Sequence, residues 1–85
     1  MSGDLIRESK SADEIASFMN DSVRVLPGLE TLRVEVIRLP APDVHGCNWI
    51  AHHPRLPMGC PPESERLLKD IIANARRYFN LWEAH

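Results

Sequence analysis

At 85 residues the chain is one small domain, because a core of this size cannot be divided and still offset the entropy of ordering its backbone. Its 44% hydrophobic and 26% charged residues fit a soluble globular chain and exclude a disordered or fibrous one. Ten basic against twelve acidic residues, a net charge of −2, exclude the basic footprint of a nucleic-acid binder, and no apolar run approaches the ~18 residues of a membrane span.

The first residues, MSGDLIRESKSADEIASF, hold no apolar run of signal-peptide length, so a cytoplasmic location is expected, with no membrane and no nucleic acid among the partners. In that reducing setting Cys47 and Cys60 are expected to stay free thiols. Residues 1–10 read as a flexible lead to a single domain over 11–85. Ser11 and Glu14 then form an S-x-x-E capping box, which predicts a helix from Ala12. Ile15, Met19, Val23 and Leu26 recur at helical spacing, with Ala16 and Phe18 widening the apolar stripe. Leu26 precedes Pro27 and is biased away from helix, so the helix ends near Arg24 and Pro27 with Gly28 makes the turn.

From 31 to 39 the segment TLRVEVIRL alternates Leu32, Val34 and Val36 with Arg33 and Glu35, the period of a half-buried strand. A loop over 40–45 follows, and Gly46 releases a second strand to residue 52 in which Cys47, Trp49 and Ala51 share the inner face. Asn48, Ile50 and His52 fall on the outer face, together with Arg33, Glu35 and Ile37. Four prolines lie between His53 and Pro62, and they stiffen a crossover over 53–61. A second helix is predicted over 62–80: prolines and acids stand at its start, Arg76 and Arg77 complement the dipole near its end, and Leu68, Ile71, Ile72, Ala75 and Phe79 form its stripe. Asn80 is expected in the left-handed conformation that ends a helix, with Trp82 capping the core.

The predicted fold is an α+β two-layer sandwich in the order α-β-β-α, an antiparallel hairpin covered on one face by two helices. A lone hairpin leaves both strands as edges, so a homodimer with a continuous four-stranded sheet is expected, a hidden third strand being the alternative.

The stretch HGCNWIAHHPRLPMGC, residues 45 to 60, gathers three of the four histidines and both cysteines. His45, Cys47, His53 and Cys60, with His52, are the candidate zinc ligands, but no C-x-x-C or H-x-x-x-H clip is present and alternation splits His52 from His53. A Cys47–Cys60 disulfide would close a short loop without a secretion signal to favour it. Cys47 with His45 or Asp43 has the residue types of an activated thiol, in a domain with little room for a water-excluding pocket. No glycine-rich phosphate loop occurs, and no cofactor is implied. Trp49 reads as core and Asn48 as a residue bonded to loop backbone before it reads as a recognition group.

The leading functional expectation is a small protein-interaction or accessory domain that acts as a homodimer, with no catalytic residue assigned and with Ile37, Asn48, Ile50 and His52 as binding residues. A small zinc protein and a cysteine-dependent enzyme or redox protein are the competing readings.

Overall fold

A computed structural model describes residues 7–82 of the chain. The elements run β1 (Glu8–Lys10), α1 (Ala12–Val23), β2 (Glu35–Arg38), β3 (Trp49–His52), α2 (Pro62–Tyr78) and β4 (Phe79–Leu81). The fold is α+β, two helices with an antiparallel hairpin and a parallel pair of strands, and its element order is β-α-β-β-α-β where α-β-β-α was expected. A short strand that the sequence reading lacks is added before α1 and another after α2.

The capping box forms as the sequence requires. Ser11 Oγ accepts the Glu14 amide at 3.1 Å and Glu14 Oε1 accepts the Ser11 amide at 3.0 Å, satisfying two groups that the first turn would leave unpaired. The Ser11 amide and hydroxyl hold the Glu14 carboxyl below its ordinary pKa. Ile15, Met19 and Val23 are buried on one face of α1, whereas Phe18 stays largely exposed and meets Phe79 edge to face, 4.9 Å between ring centres.

Beyond α1 the chain does not extend at residue 31. The amides of Leu26, Leu29 and Leu32 each donate to the carbonyl three residues earlier, at 3.0, 3.0 and 3.1 Å, so the chain coils and places a buried leucine at every third position. Leu32 belongs to that run, and β2 begins only at Glu35. Gly28 serves the same coil: its φ is +83°, and a Cβ there would stand 3.0 Å from Pro61 Cδ, at the entrance to α2.

β2 and β3 pair antiparallel, with Glu35 opposite His52, Val36 opposite Ala51, Ile37 opposite Ile50 and Arg38 opposite Trp49. Trp49 is buried, Val36 and Ala51 pack against the core, and both helices lie across this inner face. α2 buries Ser64, Leu68 and Ala75, and Ser64 Oγ donates to the Pro27 carbonyl at 2.8 Å, tying the helix start to the turn after α1.

The end of α2 departs from expectation. Phe79, not Asn80, caps the helix, and it does so in an extended conformation, φ −125° and ψ 143°; among the described residues only glycines have positive φ. The chain therefore passes straight into β4, which pairs parallel with β1: Glu8 opposite Phe79, Ser9 opposite Asn80 and Lys10 opposite Leu81. Part of the lead expected to be flexible is thus a strand, while residues 1–6 lie outside the described residues. The added strands form their own two-stranded sheet and do not extend the hairpin. Trp82 continues the pairing, its amide donating to the Lys10 carbonyl at 2.8 Å, and its side chain is 61% exposed, so it does not cap the core. No helix among the described residues is long and apolar enough to cross a membrane.

Candidate functional site

Asp43 organises the first part of the reactive stretch. Its Oδ1 accepts the amides of His45 and Cys47 at 2.9 and 3.1 Å, its carbonyl accepts the Gly46 amide at 2.9 Å, and Gly46 takes φ +86° to close the turn. Its Oδ2 accepts Arg76 Nη2 at 2.5 Å, while Arg76 Nε donates to the Trp49 carbonyl at 3.0 Å. Burial pushes the Asp43 carboxyl up, but the amides of Cys47 and His45 and the Arg76 guanidinium outweigh it and hold the group below its ordinary value. Arg76 is therefore half-buried between the loop and β3, in place of the exposed dipole partner expected from sequence. It clamps the loop to the end of α2.

Cys47 lands in the core at 2% exposure, its thiol donating to the Trp49 carbonyl at 3.3 Å. Asp43 holds the amide of Cys47 and not its sulfur, and His45 is exposed on the turn, so the residue types of an activated thiol are present without the thiol-to-base contact that chemistry needs.

Asn48 and Trp49 cover an edge of β4. Asn48 Oδ1 accepts the Leu81 amide at 2.8 Å, Asn48 Nδ2 donates to the Leu81 carbonyl at 3.1 Å, and Trp49 Nε1 donates to the Phe79 carbonyl at 3.0 Å. The Trp82 bond to Lys10 shows which way β4 faces β1, so Phe79 and Leu81 present their backbone groups on the opposite side, where these two side chains stand in for a strand. Asn48 is accordingly buried, at 6% exposure, and is not on the outer face expected from alternation: its side chain is taken up by the backbone of Leu81 in β4. Asn20 repeats the device on α1, with Oδ1 accepting the Val34 amide at 2.8 Å and Nδ2 donating to the Val34 carbonyl at 3.1 Å. Asn80 Nδ2 donates to the Gly46 carbonyl at 3.1 Å.

The remaining candidate ligands are dispersed. Cys60 is half-buried with its sulfur 3.6 Å from the Pro61 carbonyl, and His53 Nδ1 lies 2.8 Å from the Pro54 carbonyl. Both cysteines are free thiols, and among the described residues no three of His, Cys, Asp and Glu come together around a point where a metal ion could sit.

What the fold does bring together is the outer face of the hairpin. The register sets Ile37 directly across from Ile50, 44% and 40% exposed, and Glu35 directly across from His52, with Glu35 Oε2 3.7 Å from His52 Nδ1. Three of the four predicted binding residues, Ile37, Ile50 and His52, share this surface, and Asn48 does not. Alternation in the sequence puts both Glu35 and His52 on the outer face, and only the register makes them partners. Comparison with protein-family models, curated proteins and solved structures finds no match to this chain.

Proposed function

We propose that the chain is a small protein-interaction module that acts as a homodimer, two copies meeting through the outer hairpin face of Glu35, Ile37, Ile50 and His52. The observation that carries this reading is the register, which gathers two large apolar side chains side by side on the face opposite the helices. A two-fold axis parallel to the strands lays β2 of one copy over β3 of the other. Ile37 then meets Ile50 of the second copy and Glu35 meets its His52, so the face is complementary to itself in shape and charge.

Pairing edge to edge is less favoured, because Asn20 already occupies the backbone groups of Val34 immediately before β2. Strands of four residues are only about 13 Å long and lie about 5 Å apart, well short of the ~800 Å² per partner of a standard interface, so the contact belongs to the weak, exchanging class.

Sedimentation across micromolar to millimolar concentration tests the reading. The average mass should climb toward two chains, and Ile37→Glu, which sets a second carboxylate beside Glu35, should hold it at one. A wild-type chain that stays single at millimolar concentration overturns the proposal.

A further inference from the structure

The same face carries a charge pattern beside its apolar centre, and we infer that proton uptake by His52 controls the pairing of two copies; this rests on the homodimer reading above. Within one chain Glu35 and His52 are 3.7 Å apart across the hairpin. The two-fold axis that sets isoleucine on isoleucine also sets each Glu35 over His52 of the second copy. Two carboxylates and two imidazoles then alternate around a closed square.

The protonation state of the imidazoles fixes the sign of that square. With both neutral, association draws two carboxylate charges together with nothing between them but polar rings, and the isoleucine contact has to overcome their repulsion. With both protonated, every side of the square joins opposite charges. Association should therefore tighten when the imidazoles take up protons and loosen again once the carboxylates lose their charge.

The other charged groups nearby do not reproduce this behaviour. Arg33 is exposed two residues before Glu35; it is cationic throughout and adds a constant contribution. The His53 ring is engaged with the Pro54 carbonyl, and α1 and α2 pack on the opposite face of the hairpin, so their charges do not front His52. Because the contact is small, a change in two exposed charge pairs is a large part of its free energy.

The test is the dimer dissociation constant by sedimentation at about pH 5.5 and pH 8, at one ionic strength, for the wild type, His52→Gln and His45→Gln. Wild type should associate about fivefold more tightly at the lower pH, His45→Gln should match it, and His52→Gln should lose the difference. The net charge of −2 also moves toward zero as pH falls, and tightening from that cause alone would survive His52→Gln; that result overturns the inference. Equal association of the wild type at both pH values overturns the proton control and leaves the homodimer standing, whereas a single chain at every pH removes both.

Discussion

Asn48 and Leu81 are bonded twice, the side chain of one accepting from the amide and donating to the carbonyl of the other at 2.8 and 3.1 Å. The primary amide of asparagine has the donor and acceptor of a peptide group, so one residue can complete a strand edge that no further strand reaches. Asn48→Ala should strand a buried amide and carbonyl and cost about 2 to 4 kcal/mol, read from denaturant unfolding of the variant against wild type. A loss below half a kilocalorie would mean that water replaces the side chain freely.

Asp43 links acid stability to the same corner of the fold. Its folded pKa lies below the ordinary 3.8, so its contribution is fully present above that value and is lost as pH falls through the lower, folded one. Glu14 behaves in the same way from its ordinary 4.5. Thermal unfolding followed from neutral pH to pH 2 should show the wild type losing stability below about pH 4, and Asp43→Asn should show a shallower decline. Parallel curves for the two proteins would dissociate the acid transition from this carboxylate.

The two thiols should differ sharply in reactivity. Cys47 is sealed in the core and Cys60 is half-buried in the crossover. Under native conditions a thiol reagent should label one group per chain quickly, Cys60→Ser should abolish that fast phase, and Cys47 should react only when the chain opens. Rapid labelling of Cys47 in the folded protein would contradict its placement.

Gly28 should resist substitution. Gly28→Ala meets both a left-handed backbone and a 3.0 Å approach to Pro61, a cost of about 1 to 3 kcal/mol in unfolding free energy, whereas an alanine at Gly59, with open space around its Cβ, faces only the backbone part. Equal losses at the two positions would show that the contact with Pro61 is easily relieved.

Both helices and the inner face of the hairpin were legible in the sequence, because each rests on a local signal: the Ser11 and Glu14 box, the Ile15, Met19 and Val23 stripe, and the alternation of Trp49 with Ile50. β1 and β4 were not, since three residues are too few to establish a period and their pairing spans nearly the whole chain. Leu32 obeyed two periods at once, every second residue toward Val34 and every third from Leu29, and the hydrogen bond to Leu29 decided between them. Asn48, Asn20 and Arg76 have roles defined wholly by distant backbone, which no spacing in the sequence encodes. Of the candidate face, its composition could be read from alternation and its pairing could not.

The parallel pairing of Glu8 with Phe79 also orders events in time. Closing the long loop between Glu8 and Phe79 carries an entropic cost before any contact is gained, and β1 has no partner until β4 is in place. The capping box and the hairpin can assemble from local contacts, but β1 must wait for β4. The first element in chain order is therefore among the last of the described elements to fold.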